Sequence, residues 1–428
     1  MSYFSERLQA FLSAALFLIC FLGFFLYHTA AAYEIIRPPL PLGGWWSYSN
    51  LLCLTVLGLV MAGSGSLMQR YHLPVYLLLT VVGAVAVWHV LYGGSPWQRL
   101  SLVAEESAKL LIGWAALYLI GYYIRPTRQF AIVLLVAVVV LFAITPFLVQ
   151  TDPFSPLDAN RLRFGGEVAS YQFFSNSAVF IILAALAYAK NAKQQAVVVL
   201  LGGTTVFLLG SRAELLGLSL IAILWLWLLA AASREVRWRV VGSFGVVLLT
   251  AGILVAIVGA DAIARYTDLL NFDTSRSWGE RLVLLEDGLT DIGQSPILGN
   301  YAGQMASMAI DTTDSQNVAF GHYMHSTIDV WRQFGLLPFL IYFAMSIASV
   351  ALGAYLVFVR KELTPNARLL LLVSAYCLIV GLAAKPIYWP MPALAWGLAA
   401  ARIKSLSGRA AQKRVTAASF ELSGDGTI

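Results

Sequence analysis

The chain has 428 residues, of which 59% are hydrophobic and only 12% are charged. A soluble domain carries about 25% charged residues, so this composition excludes a soluble globular protein and predicts a membrane protein. The net charge of +6 does not indicate nucleic-acid binding here. The excess lies in short loops and a basic C-terminal tail, where it sets the topology and meets anionic membrane lipids.

Apolar segments of about 20 residues, the length that crosses a bilayer as a helix, recur along the chain. They predict an all-α polytopic protein with about twelve transmembrane helices. The segments lie near residues 10–31, 50–68, 73–92, 102–123, 129–149, 171–189, 195–210, 213–232, 239–259, 334–358, 367–384 and 387–401. The predicted organisation is helices 1–9 in residues 1–259, a long loop at 260–333, helices 10–12 in 334–401, and a disordered basic tail at 402–428.

The lysine and arginine residues of the loops predict the orientation, because cytoplasmic loops carry an excess of them. One set of connections, together with the C-terminal tail, holds seventeen such residues. The short connections on the other side hold six, which are Arg37, Arg99, Arg161, Arg163, Arg212 and Lys385. Both termini are therefore predicted to be cytoplasmic, and the loop 260–333 is predicted to lie on the outer face.

Arg212 stands in the sequence LLGSRAELLG, between two apolar segments with almost no loop. A charge near hydrocarbon is costly unless it is paired or reaches the interface. One interpretation is snorkelling to the interface or a salt bridge with Glu214. The interpretation that we favour is an anion-binding arginine that faces a cavity.

The long outer loop contains an amphipathic helix. Residues 278–293 place four apolar side chains at helical spacing, which are Trp278, Leu282, Leu285 and Leu289. Such a helix is expected to lie on the membrane surface or to cover a cavity. Arg281 belongs to this helix, and an ion pair with Glu280 or Asp287 is the alternative to a functional role.

Two of the five histidines, His322 and His325, lie near the end of this loop in FGHYMHSTIDVWRQFGLLPFLIYF. Both share helical spacing with Asp329, but no HExxH motif or cysteine ligand accompanies them, so we predict no metal. The chain also lacks GxSxG, P-loop and dinucleotide-binding motifs, so we predict no cofactor. The expected chemistry uses arginine and histidine side chains and the substrate's own leaving group.

Four segments resemble, in order, signature segments of the O-antigen ligase and polymerase superfamily of bacterial membrane glycosyltransferases. They are LRFGGEVAS with Arg163, LLGSRAELLG with Arg212, RLVLLEDGLTDIGQSPILGNYAG from Arg281, and HSTIDVWRQFGLLPFL from His325. The family often has an acidic residue two positions before the glycine of the last segment. Gln333 stands there in this chain, so we assign no acidic catalytic role at that point.

The resemblance implies a GT-C-type architecture and transfer of a glycan from undecaprenyl pyrophosphate to a hydroxyl on the periplasmic face of the inner membrane. Arg163, Arg212 and Arg281 suit this reaction, because guanidinium groups bind anionic oxygens bidentately and stay charged. They are expected to stabilise the departing pyrophosphate in a metal-independent, inverting transfer.

The acceptor is a poor nucleophile, and a histidine side chain orients it or takes its proton. His325 is the expected residue for this role, and His322 is the second choice. Arg161 and Lys385 are expected to meet the phosphorylated acceptor.

A ligase and a polymerase share the donor, the membrane face and these residues, and they differ in the acceptor. A ligase uses the lipid A–core oligosaccharide, and a polymerase of O-antigen or exopolysaccharide uses a second lipid-linked glycan. The sequence slightly favours a ligase. A polysaccharide or lipid transporter is the non-enzymatic alternative, and it would use charged groups near the middle of the membrane. The sequence shows only Glu105, Glu106 and Lys109 in such a position.

Overall fold

The computed structural model describes residues 2–32, 35, 44–92, 97–125, 127–148, 163–164, 167–168, 171–232, 276–301, 324, 326–385 and 389–423. Within these residues the protein is helical apart from one short hairpin of strands β1 (Arg163–Phe164) and β2 (Glu167–Val168). The helices before the hairpin are α1 (Ser2–Leu18), α2 (Phe24–Ala32), α3 (Trp45–Gly63), α4 (Leu73–Tyr92), α5 (Trp97–Tyr123) and α6 (Arg128–Leu148). Those after it are α7 (Tyr171–Tyr188), α8 (Ala192–Leu208), α9 (Arg212–Ala232), α10 (Arg276–Gln294), α11 (Asp329–Phe334), α12 (Leu336–Ala354), α13 (Pro365–Ala383) and α14 (Pro392–Ser423).

Six helical stretches among the described residues are long and apolar enough to cross a membrane. They are Glu6–Ala30, Trp45–Gly63, Arg70–Tyr92, Arg128–Leu148, Leu336–Val359 and Pro365–Ala383. A π-helical turn at Ile19–Gly23 joins α1 to α2, and another at Tyr355–Val359 extends α12. The all-helical fold of a polytopic membrane protein is thereby confirmed. The predicted segment at 239–259 lies outside the described residues.

The C-terminal tail differs from the prediction. The segment from residue 402 was expected to be disordered, but α14 continues through it to Ser423. Alanine, arginine, lysine and glutamine, which are strong helix formers, occur throughout this stretch, and no proline interrupts it. The side chain of Arg402 also pairs with Glu362, which holds the start of the tail against the loop before α13.

The centre of the bundle is formed by α7 and α13. Residues 178–187 of α7 are almost completely buried, although this helix is shorter than the six stretches above. Glycines let the helices approach closely, as is common in membrane proteins. Gly217 of α9 packs against Tyr376 and Val380 of α13, and Gly353 of α12 packs against Leu371.

These contacts define two ends of the bundle. We call the end at which α9 begins and α13 stops at Ala383 the site face. At the other end, which we call the opposite face, Arg368 near the start of α13 donates a 3.3 Å hydrogen bond to the carbonyl oxygen of Ala189, just beyond α7. A helix of the length of α13 separates the two faces by about 28 Å.

Candidate functional site

A buried ion pair joins the start of α9 to the chain that follows α13. The Glu214 carboxylate is fully buried, pairs with the ammonium group of Lys385, and accepts a hydrogen bond from the Ser211 hydroxyl. Gly210 has a φ of +75°, a conformation that glycine adopts without strain, and it makes the tight turn between α8 and α9. Arg212, the first residue of α9, is therefore carried by a turn that the ion pair ties to α13.

The ion pair bears on two predictions. Glu214 was the alternative salt-bridge partner of Arg212, and its carboxylate contacts Lys385 and Ser211. Lys385 is only 7% exposed. Its burial is tolerated because Glu214 compensates its charge inside the protein. Its predicted contact with the acceptor stays a prediction.

The loop helix α10 reaches the same place. The Arg281 Nη1 atom donates a 3.4 Å hydrogen bond to the carbonyl oxygen of Ala383, the last residue of α13. The last carbonyls of a helix lack intrahelical partners and carry partial negative charge, so a guanidinium group is favourable there. Arg281, Lys385 and the turn that carries Arg212 thus meet around the C-terminal end of α13.

The face through which α10 packs is not the apolar stripe that the sequence shows. Leu284 and Ile292 are buried, and Gly288 between them lies so close to Met324 that a Cβ would collide with its side chain. Leu282 and Leu289 of the stripe are 59% and 52% exposed. These two side chains therefore point away from the protein, and the contact of the stripe with a membrane surface stays a prediction.

His325 lies outside the described residues, but the chain on both sides of it is held in place. Met324 packs against Gly288 of α10, and Thr327 lies beside Gly381 of α13. The Asp329 carboxylate accepts hydrogen bonds from the Met324 backbone N–H at 3.2 Å and from the Gln333 side chain at 3.3 Å. Met324 is therefore anchored to α10, and Thr327 is anchored near the end of α13 at which Arg281 also lies.

A second contact, which we call the loop clasp, joins residues 295–301 to residues 331–336. The backbone N–H groups of Asn300 and Leu336 donate to the carbonyl oxygens of Arg332 and Pro296, at 2.8 and 3.0 Å. The rings of Tyr301 and Phe334 stack with centroids 4.6 Å apart. Beside the clasp, the Arg332 guanidinium group pairs with Asp291 of α10 at 2.6 Å. The clasp fixes α10 relative to the start of α12.

The loop clasp predicts a large effect of a small substitution. Gly335 has a φ of +85°, and a Cβ there would collide with the carbonyl oxygen of Ile297. We expect Gly335→Ala to lower the free energy of unfolding by about 1–3 kcal/mol through backbone strain and to reduce activity, because α10 loses its position. Thermal unfolding in detergent measures the first effect.

Gly293→Ala is the matched control, since Gly293 is a helical residue of α10 at which an added Cβ would meet no other atom of the described residues. Alanine favours a helix over glycine, so this variant should be as stable as the wild type or more stable. Equal stability of Gly335→Ala and the wild type would contradict the proposed rigidity of the clasp.

The structure describes only one of the remaining predicted site residues. Arg163 lies in strand β1, where it pairs in register with Val168 just before α7. Arg161, His322 and His325 lie outside the described residues. No group of three or more histidine, cysteine, aspartate or glutamate residues that suits a metal occurs in the part of the chain that is described.

Sequence reasoning missed both ion pairs, Glu214 with Lys385 and Asp291 with Arg332. One signal was present, because a charge flanked by apolar residues needs a partner, and Glu214 and Lys385 are both such charges. The sequence does not identify which distant charge that partner is. Only the packing of α9 against α13 brings these two together.

Comparison with known proteins identifies one family domain in the chain. Residues 196–343 match the model of a family described as O-antigen ligase. No curated protein gives a significant match. The matched residues include α9 with Arg212, α10 with Arg281 and the start of α12, whereas α13 and Lys385 lie outside the match. The chain therefore contains a domain that is similar to this family over residues 196–343, which supports the predicted resemblance to the O-antigen ligase and polymerase superfamily.

Proposed function

We propose that this protein is an O-antigen ligase of the bacterial inner membrane. It transfers a polysaccharide from undecaprenyl pyrophosphate to a sugar hydroxyl of the lipid A–core oligosaccharide. The observation that supports this proposal is the meeting of Arg281, Lys385 and the Arg212 turn at the C-terminal end of α13. Glu214 compensates Lys385, so Arg281 and Arg212 are the cations there that suit a substrate carrying a pyrophosphate.

In the proposed reaction, the acceptor oxygen attacks the anomeric carbon of the donor sugar and forms the new glycosidic bond. The bond between that carbon and the pyrophosphate oxygen breaks, and undecaprenyl pyrophosphate leaves with the electron pair. Arg212, Arg281 and Arg163 stabilise the charge that develops on the leaving group. His325 takes the acceptor proton, with His322 as the second choice. Attack from the face opposite the leaving group inverts the anomeric centre.

The proposal includes an architecture of about twelve transmembrane helices of GT-C type, with both termini in the cytoplasm. The site face is then periplasmic, and the opposite face is cytoplasmic. Arg360 of the opposite face and Ile297 of the loop clasp are both exposed, and Ile297 is 74% exposed. They therefore provide matched positions for testing the orientation.

We expect a cysteine at position 297 to react with a membrane-impermeant thiol reagent when only the outer membrane is permeabilised. Arg360→Cys should react only after the inner membrane is disrupted. Background labelling should be low, because Cys20, Cys53 and Cys377 are all buried. The reverse pattern would overturn both the topology and the periplasmic site.

The choice of a ligase over a polymerase depends on how many pyrophosphate groups the site can hold. A polymerase holds two lipid-linked glycans that both carry pyrophosphate, so it needs two anionic sites. The described residues show one meeting of cations on the site face, around the end of α13. A ligase needs one pyrophosphate site and room for an acceptor in the same leaflet, where Lys385 and Arg161 are proposed to meet the phosphorylated core.

Reconstitution of the purified protein with a polymer on undecaprenyl pyrophosphate tests this choice. We expect transfer to added lipid A–core, and we expect the transfer to persist in EDTA. Arg212→Ala serves as the inactive control. Elongation of a second lipid-linked glycan, without transfer to lipid A–core, would identify a polymerase instead.

The transporter alternative has little support in the described residues. The ammonium group of Lys109 in α5 lies 2.8 Å from a carboxylate oxygen of both Glu105 and Glu106, which precede it by four and three residues on the same helix. The charges that a transporter would use near the middle of the membrane are thus paired with one another. Movement of the lipid-linked glycan across the membrane by this protein, without transfer to an acceptor, would support this alternative.

A further inference from the structure

A cavity of about 640 Å³ lies at the opposite face, far from the candidate site. Its wall is formed by the end of α5, the start of α13 and the middle of α14. Three cations line it, which are Arg125, Arg402 and Lys404, together with the polar residues Asn366 and Ser405. Among the lining residues there is no carboxylate.

Two of the three cations are held at the wall by neutral partners. The Arg125 guanidinium group donates to the carbonyl oxygens of Tyr122 and Ile124, at 3.1 and 3.3 Å. The Lys404 ammonium group donates to the Tyr122 hydroxyl at 3.0 Å and lies 5.3 Å from the centre of its ring. Neither contact compensates a positive charge.

The third cation is partly compensated. The Arg402 side chain is 11% exposed and pairs with Glu362 through Nη2. Its Nε atom is buried and has no hydrogen-bond partner within the described residues. A buried donor without a partner is costly, so the hydrogen-bonding capacity of Arg402, which lines the cavity, is only partly used.

The cavity also has a fixed shape. Gly121 of α5 and Gly397 of α14 allow these two helices to pack with their backbones in contact, because a Cβ on either would collide with the other helix. Gly121 and Leu398, the neighbour of Gly397, are themselves part of the cavity lining. Arg402 and Lys404 are therefore presented by one helix of a closely packed pair, and Arg125 follows the end of the other helix by two residues.

We propose that this cavity binds a phosphate-bearing anion, supplied either as the headgroup of an anionic phospholipid or as free phosphate. The arginine fork and the lysine ammonium group both suit phosphate oxygens. Basic pockets between transmembrane helices at the cytoplasmic side are suited to anionic headgroups. A purely topological role of these cations would not need a cavity that three of them line.

The experiment uses the full-length protein in a neutral detergent. Native mass spectrometry measures binding of short-chain phosphatidylglycerol, phosphatidylcholine and inorganic phosphate to the wild type and to Arg125→Gln, Lys404→Gln, Lys404→Arg and Arg360→Gln. Arg360→Gln is the matched control, because it removes an exposed cation from the same face but outside the cavity. Circular dichroism checks the fold of each variant.

We expect phosphatidylglycerol to bind saturably and phosphatidylcholine to bind more weakly. Arg125→Gln and Lys404→Gln should each weaken binding about fivefold, whereas Lys404→Arg and Arg360→Gln should retain it. The same pattern with inorganic phosphate alone would identify free phosphate as the source of the anion, and its absence there would identify the lipid. If Arg125→Gln does not fold, Lys404→Gln decides alone, since Lys404 lies at the exposed edge. The proposal would be overturned if folded Arg125→Gln and Lys404→Gln bound phosphatidylglycerol as tightly as the wild type. It would also be overturned if Arg360→Gln lost as much binding as they do.

Discussion

Replacing Arg212 by lysine should lower glycan transfer by roughly 10²-fold or more, although the positive charge is kept. The guanidinium group binds two oxygens of a phosphate at once, whereas an ammonium group acts as a point charge on a flexible stem. Arg212 is the first residue of α9 and follows the tight turn at Gly210, so a replacement side chain begins from the same fixed backbone. The loss should therefore report geometry and not misfolding.

Initial rates with a lipid-linked donor, together with thermal unfolding of each variant, measure this effect. Arg360→Lys is the matched control, because it makes the same exchange at an exposed position of the opposite face. The turnover number should fall while the melting temperature stays near that of the wild type. Near-normal turnover of Arg212→Lys would favour snorkelling to the interface over pyrophosphate binding.

The second large effect concerns the ion pair between Glu214 and Lys385. Removing one partner of a buried pair leaves the other charge unpaired and costs about 3–5 kcal/mol. Glu214→Gln and Lys385→Met should each destabilise the protein by about this amount, since both side chains are almost fully buried. The double variant Glu214→Gln/Lys385→Met should regain most of the stability, because no charge then remains without a partner.

Unfolding of the two single variants and the double variant in denaturant measures the coupling, and the transfer rate of the double variant adds a second readout. The proposed contact of Lys385 with the acceptor requires transfer to stay low in the stable double variant. Transfer at the wild-type rate would leave Lys385 with a structural role only. Additive losses of stability in the double variant would contradict the ion pair itself.

Much of the fold follows from the sequence because the bilayer imposes a simple length rule on apolar helices. The segment predicted at 73–92 coincides with α4, and the one predicted at 129–149 differs from α6 by a single residue at each end. The tail from residue 402 is polar, so this length rule does not apply to it. Its charges indicated a solvated chain, but its helix-forming residues continue α14.

The sequence likewise identified some features of the candidate site and not others. The sequence alone singled out Arg212 and Arg281, because an arginine beside apolar segments or on a loop helix needs a reason to be there. It also placed them in segments that resemble one superfamily, and the match of residues 196–343 agrees. These conclusions depend on residue type and local order, which a sequence shows directly.

The tertiary structure alone decided which of these residues meet. The Pro296 and Gly335 segments are separate motifs in the sequence, yet they form one clasp through backbone hydrogen bonds. Glu214 and Lys385 are likewise far apart in the chain and form one buried pair. Such contacts follow from how helices pack, and a membrane gives apolar helices of similar composition no preference for one neighbour over another. The close approach of glycines and the pairing of buried charges select the neighbours, and both are properties of two helices together.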